Sequence, residues 1–412
     1  MITTPIHDFI TAYKKKNSIR CHTPGHKGIF HPHDITEIAG ALSIIEESER
    51  IASGLFGSQA TFYSCSGSTL AIQTMLTLVK QRRDNVSRGT RIAAFRYAHR
   101  SFVSAAALLG FDVDWFYSDK DISSALHPDT SAVFMNSLDY HGNIYDIGRA
   151  AEICNDVKIP LLVDNAHGAY LTFTGRHPLS LGAAMTADSA HKTLPVLTGG
   201  AYLHVNDVEY IPDVKTTMSL FGTSSPSYLV LESLDLCNRH IAGGKPEAFG
   251  HVAGLKERLD YIHESDELRV TINACDYGYT GFEFADKLRR QNVEPEYADI
   301  NRTVLLFSTV TTKADTDAVL AAVSAVKRRK RLEPVTKFMA EPEQVMSIRD
   351  ALLGSDSERI PVSASTGRVC AELQAPCPPG VPVVMPGERI CTDCAELLRI
   401  YGISNIRVLK NI

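Results

Sequence analysis

The chain has no apolar run that approaches the length needed to cross a bilayer, so no membrane span is expected. It also has no surplus of positive charge: 42 Lys and Arg against 47 Asp and Glu leave a formal net charge of −5. Affinity for a phosphate backbone needs the opposite balance, which argues against a general nucleic-acid binder. The opening residues, Met1-Ile2-Thr3-Thr4-Pro5-Ile6-His7-Asp8-Phe9, lack the continuous apolar core of a signal peptide. Nine cysteines, an odd number scattered over a long chain, do not have the pattern of a secreted disulfide framework. Internal repeats and low-complexity segments are lacking too. The expectation is a cytoplasmic protein that binds neither nucleic acid nor membrane.

What is present is ordinary for a globular protein, with 44% apolar and 22% charged residues. At 412 residues the chain can bury a large core and should hold two or three units. Short apolar runs alternate with helical stretches from about residue 60 to 205, the pattern of an open α/β sheet. Expected strands are Thr61–Tyr63, Arg91–Phe95, Val113–Tyr117, Ser131–Met135, Pro160–Val163 and Gly200–Leu203. Helices are expected at Thr69–Lys80, Ser101–Leu109 and Asp146–Asp156, the last opened by its own acid. The texture changes after Gly243-Gly244-Lys245-Pro246, where a helix at Phe282–Arg290 and a strand at Thr303–Thr309 are expected. The proline-rich Pro376–Pro382 interrupts a last unit, which should end in the helix Thr392–Tyr401. The resulting division is an N-terminal segment 1–50, a large domain 51–245, a small α+β unit 246–330 and a C-terminal unit 331–412.

In an open parallel sheet, ligands sit beyond the carboxyl ends of the strands. Asp164 directly follows the apolar run Leu161-Leu162-Val163, and Lys192 follows the next strand within Ser189-Ala190-His191-Lys192. An acid and a lysine closing neighbouring strands are what pyridoxal 5′-phosphate requires. The lysine carries the cofactor as a Schiff base, and the acid keeps the pyridine nitrogen protonated. Taken alone, Asp164 is equally well an acidic cap for the turn behind it. Ser66-Gly67-Ser68-Thr69 opens a helix after a strand, so small residues, hydroxyls and backbone N–H groups can meet a phosphate there. As an isolated motif it is only a capped turn. Ser189 would add a donor from the next strand end. His99, beyond the strand ending at Phe95, can lie against an aromatic ring, although a polar loop histidine needs no such role. Agreement decides: four separate segments set compatible groups along one edge of one sheet.

Taken with several further segments, these residues resemble the Orn/Lys/Arg decarboxylase major-domain family, whose members are fold-type I, aspartate aminotransferase-like enzymes. The motifs that carry the resemblance are His22-Thr23-Pro24-Gly25-His26-Lys27-Gly28, Ser66–Thr69, Ala98-His99-Arg100-Ser101, Asp164-Asn165-Ala166-His167-Gly168 and Ser189–Lys192. Thr223–Tyr228, Gly367-Arg368-Val369, Pro378–Pro382 and Pro386-Gly387-Glu388 extend it along almost the whole chain, in the manner of the short bacterial arginine/lysine decarboxylases without a wing domain. The resemblance implies a mainly parallel large-domain sheet with smaller α+β domains behind it. It implies that Lys192 holds the cofactor, Asp164 pairs with its ring nitrogen and His99 stacks on the ring. His167, beside Ala166, would lie near the phenolic oxygen, and Ser68, Thr69, Ser189 and His191 near the phosphate. A homodimer completing its active site around Thr223–Tyr228 is implied as well, with further assembly left open.

The implied reaction removes CO2 from arginine, lysine or ornithine. Two departures bear on it: Asn165 stands where the family commonly has Glu, and the segment after Glu37 is shortened. The second keeps an aminotransferase, lyase or cyclase on a related amino acid in play, and a non-catalytic cofactor-binding relative is the third reading. Other signals are set aside. His22, His26, His31, His33 and Asp34 fit no standard zinc spacing, so no metal is expected. Cys391-Thr392-Asp393-Cys394 reads as free thiols, and Lys327–Arg331 as a solvated basic run.

Overall fold

A computed structural model describes residues 2–16, 20, 24–27, 29–35, 41–82, 89–336, 340–373 and 382–410. His22, Thr23 and Gly28 of the first motif, the shortened segment 36–40 and the prolines before Pro382 lie outside the described residues.

Seven strands form the central sheet: β1 (Ala60–Ser64), β2 (Arg91–Phe95), β3 (Asp112–Phe116), β4 (Thr130–Asn136), β5 (Leu161–Asp164), β6 (Met185–Asp188) and β7 (Ala201–Val205). Their spatial order is β1-β7-β6-β5-β4-β2-β3. The run from β6 to β3 is parallel throughout, and β7 is antiparallel to both β6 and β1. Alternate residues face opposite layers. Ile92, Ala94, Phe134 and Leu162 pack under the helices Gly67–Gln81 and Arg100–Leu109. Ala93, Phe95, Val133, Met135, Leu161 and Val163 pack against the helix Ile147–Asp156 on the other face. Burial on both faces is why these strands read as continuous apolar runs rather than alternating ones. Asp146 caps the helix as expected, its carboxylate accepting the Arg149 N–H at 2.9 Å.

Two N-terminal helices, Pro5–Lys15 and Ala41–Phe56, share a core with the helix Tyr228–Ala242. A second, antiparallel sheet has the order β10 (Tyr297–Ala298), β11 (Arg302–Leu306), β9 (Arg269–Asn273), β8 (Ile262–His263). The expected strand at Thr303–Thr309 stops at Leu306, because Thr309 turns away to the short helix Ala190–Thr193 that follows β6. Its N–H and hydroxyl both donate to the Thr193 carbonyl, at 2.9 and 3.1 Å, beside Lys192. The C-terminal helix occupies Thr392–Ile400, and a hairpin of β12 (Ser357–Pro361) and β13 (Asn405–Leu409) packs with it. The chain is an α/β protein with smaller α+β portions behind its large sheet.

Arg96, just beyond β2, and Glu388 join the C-terminal portion to the sheet. The two side chains, 0% and 1% exposed, form a bidentate ion pair, one arm of which measures 2.8 Å. Glu388 also accepts the Met385 N–H at 2.6 Å, so the pair fixes the 382–388 strand of backbone against the central sheet.

Candidate active site

The polar residues that follow the parallel strands converge on one cavity of about 250 Å3 at the sheet's carboxyl edge. The strands deliver Ala98 and His99 after β2, Asn136 at the end of β4, Asp164 at the end of β5, Ala166 and His167 beyond it, and Lys192 after β6. Ser68 comes from the first turn of the helix behind β1.

Lys192 Nζ lies 3.0 Å from His167 Nε2. Burial lowers the pKa of this lysine, a pull that the carboxylates of Asp164 and Glu296 only partly resist. Burial and the Lys192 charge likewise push His167 well below the usual histidine range, so it is neutral. The ring of Tyr140 meets the His167 ring edge-on at 5.0 Å. Asp164 is 4% exposed and accepts the Ala166 N–H at 3.0 Å. Burial raises its pKa, with His99 and Lys192 opposing. A buried carboxylate whose charge is under-compensated needs a cationic N–H beside it.

The neighbouring Asn165 ties three strand ends together. It accepts from Ser137 at 2.6 Å and donates to Asp188 at 2.7 Å, while His177 Nε2 lies 2.8 Å from the same Asp188 oxygen. A neutral amide suits this position because the buried acid is Asp188. Burial alone would raise the Asp188 pKa, but His177, His204 and Asn165 together outweigh it and hold the carboxyl below its usual range. Gly168 closes the turn because nothing larger fits: an added Cβ would sit 2.1 Å from Asn165 Oδ1 and 2.9 Å from Leu138 and Leu171.

Of the residues singled out from sequence, Ser68, His99, Asp164, Ala166, His167 and Lys192 line the cavity together. His99 caps the helix Arg100–Leu109, its Nδ1 lying 2.9 Å from the Ser101 hydroxyl. Ser189 sits behind the wall and donates to Ser68 at 2.8 Å. Ser66, Gly67, Thr69 and His191 do not line the cavity. Gly67, at a φ of 69°, donates its N–H to the Gly199 carbonyl at 2.8 Å, and His191 Nδ1 lies 3.0 Å from the Gly200 carbonyl. Sequence reasoning missed Tyr97, Asn136, Tyr140, Tyr297, Leu373, Pro382 and Met385. Asn136 carried the same signal as Asp164, a polar side chain ending an apolar strand; Leu373, Pro382 and Met385 carried none. The histidines near residue 30 separate: His26 Nε2 pairs with Asp34 at 2.8 Å, while His33 and His7 share Glu232 at 2.9 and 2.6 Å.

The residues present fit pyridoxal 5′-phosphate. The under-compensated Asp164 matches a protonated ring nitrogen, and a lysine of lowered pKa matches an aldehyde-binding amine. The buried Asn136 Oδ1 and His167 Nδ1 of the cavity walls have no hydrogen-bond partner among the described residues and are ready for a polar ligand.

Sheet order, the antiparallel β7 and this cavity define a fold-type I enzyme. The lysine decarboxylase A of Pseudomonas aeruginosa superposes with a TM-score of 0.76 at 16% identity, over 96% of this chain and 75% of that one. A Francisella novicida lysine decarboxylase gives 0.76 at 15%, over 99% and 81%. The sequence model of the Orn/Lys/Arg decarboxylase major domain matches residues 119–275, and that of the C-terminal domain matches residues 333–402. Arginine decarboxylases of Halalkalibacterium halodurans and Bacillus anthracis are each 28% identical, over 96% of this chain and 93% and 92% of theirs. The chain belongs to the Orn/Lys/Arg decarboxylase family. Among the described residues, no helix is long and apolar enough to cross a membrane.

Proposed function

We propose that this cavity binds pyridoxal 5′-phosphate and converts a basic L-amino acid, arginine, lysine or ornithine, to its amine and CO2. The observation that carries the reading is the meeting of Lys192, with its lowered pKa, and the buried Asp164 in one cavity. When bound, the cofactor supplies the electron sink that accepts the pair left behind as CO2 departs. Lys192 would hold the cofactor covalently between turnovers, and Asp164 would pair with its ring nitrogen. His99 would pack on the ring with Ala166 and His167 flanking it, while Ser68 on the wall, together with Ser66, Gly67, Thr69, Ser189 and His191 outside the lining, would hold the phosphate.

The 3.0 Å contact between Lys192 Nζ and His167 Nε2 gives the proton needed at Cα two neighbouring carriers. Lys192, as an ammonium, would donate that proton to Cα either directly or through His167, which is neutral and can take the proton from Lys192 and pass it on. Binding a basic substrate also needs a carboxylate for its distal cation. Asp139, though on the wall, is committed to its own turn, accepting from the N–H groups of His141 and Asn143 at 2.9 and 3.0 Å. Glu296 is exposed, precedes the wall residue Tyr297, and carries a charge felt at Lys192. It is the carboxylate assigned to the substrate's far end. The working unit is a homodimer, to which the exposed Thr223, Ser224 and Ser225 offer an accessible surface.

Borohydride treatment of the cofactor-loaded protein tests the assignment. The pyridoxyl group should be recovered on the peptide that carries Lys192, and Lys192→Ala should lose both the label and turnover. Recovery of the label on another lysine would overturn it.

A further inference from the structure

The pair Cys391 and Cys394 is not used by the proposed reaction, yet its geometry is specific. Cys391 is the N-cap of the helix Thr392–Ile400, its Sγ accepting the Cys394 N–H at 3.4 Å. The two sulfurs lie 3.2 Å apart, and both thiols are free. Cys391 is partly exposed, whereas Cys394 is fully buried and points its thiol at the Val383 carbonyl, 3.7 Å away. A disulfide needs sulfurs at about 2.05 Å, so closure requires a movement of roughly 1 Å within one helical turn.

We propose that Cys391 and Cys394 are a reversible disulfide site, oxidised by exchange with a small disulfide of the glutathione type, and that closing it resets the cavity wall at Pro382–Met385. Cys391, the sulfur that solvent reaches, loses its proton to solvent and attacks one sulfur of the small disulfide. The incoming S–S bond breaks, a mixed disulfide forms and one thiol leaves. Cys394 then loses its proton, attacks the Cys391 sulfur and expels the second thiol. Two protein thiols are oxidised by two electrons, and one disulfide is reduced to two thiols. Burial, reinforced by the thiol of Cys391, pushes the Cys394 pKa up to about 12, which keeps the Cys394 thiol protonated until the mixed disulfide forms.

The link to the cavity is short. Val383 lies between Pro382 and Met385, both of which line the cavity, and Met385 is held from the far side by Glu388. Turning Cys394 towards Cys391 withdraws its thiol from the Val383 carbonyl and releases one of the hydrogen bonds that hold this wall. This second consequence rests on the cavity being the decarboxylation site, whereas the disulfide does not.

The test equilibrates cofactor-loaded protein over a series of ratios of reduced to oxidised glutathione, followed by alkylation and tryptic mapping. Cleavage at Arg389 and Arg399 isolates both cysteines in one peptide that contains no other. At oxidising ratios this peptide should lose both alkyl groups and become two hydrogens lighter, and reduction should restore them. Cys394→Ser should arrest Cys391 as a mixed disulfide with glutathione. Cys391→Ser retains a capping hydroxyl, so it should fold and leave the buried Cys394 unmodified. Complete alkylation at the most oxidising ratio would overturn the proposal, as would stoichiometric zinc held by the two thiols. KM for the amino acid should shift on oxidation at constant cofactor content. Disulfide formation with KM unchanged would reject the wall coupling alone, and no turnover in either redox state would instead reject the decarboxylase reading.

Discussion

Replacing Glu388 with Gln keeps the shape of the side chain and removes the carboxylate charge that pairs with the buried Arg96 guanidinium. Burial alone would lower the Arg96 pKa, but the Glu388 carboxylate more than restores it, so the arginine remains charged. Two unit charges about 4 Å apart in a protein-like medium interact by about 4 kcal/mol. Breaking a buried pair from one side generally costs about 3–5 kcal/mol. We therefore expect Glu388→Gln to lose about that much, which is about two to four orders of magnitude in the unfolding constant. The protein carries its own reporter, because its single tryptophan, Trp115 on β3, lies with its ring 5.4 Å from the Arg96 guanidinium carbon. Urea unfolding followed by Trp115 emission should show an early transition in Glu388→Gln and in Arg96→Met. The double variant Arg96→Met/Glu388→Leu should recover much of the loss, because it leaves no buried charge unpaired. Single variants within about 1 kcal/mol of the wild type, the scale of an exposed pair, would refute the reasoning.

Two further outcomes follow from the site and the core. Asp164→Asn removes a preorganised charge and should lower kcat by about 100- to 1,000-fold while the absorbance of bound cofactor persists; wild-type turnover would show that Asp164 has no such role. His204 is fully buried and burial lowers its pKa to about 3, against 6.5 for the exposed side chain. Between these values the unfolded chain binds a proton that the folded chain refuses, so stability falls as pH drops from 6.5 towards 3, by at most about 1.4 kcal/mol per pH unit from this group. The gap between the unfolding free energies at pH 7 and 5 should narrow in His204→Gln, and an unchanged difference would count against the linkage.

The large sheet was legible because strands buried on both faces leave uninterrupted apolar runs, and Arg91–Phe95 occupies its expected span. Hydrophobic pattern carries no direction, so nothing in Ala201–Val205 announced that β7 runs against its neighbours. β13 did carry a signal, with Ile406 and Val408 buried and Asn405 and Arg407 exposed, but its partner β12 lies more than forty residues upstream in an irregular stretch. Asp164 and Lys192 were readable because each is polar and follows a buried strand. The far wall was not, since Pro382 and Met385 reach the cavity through Arg96 and Glu388, a contact that spans 292 positions of sequence. From sequence, Asn165 was only a neutral residue beside Asp164 where the family commonly has Glu. Its partners supply the reason for it: a buried carboxylate stands across from it, at Asp188.

Product analysis tests the assignment of a basic substrate most directly. Cofactor-loaded protein is offered arginine, lysine and ornithine separately, and amines are identified by mass spectrometry. We expect agmatine, cadaverine or putrescine from one of them, absent in Lys192→Ala. No amine from any of the three, with pyridoxal phosphate attached at Lys192, would contradict it. The fold and the cofactor would then stand, and another reaction on a related amino acid would have to be sought.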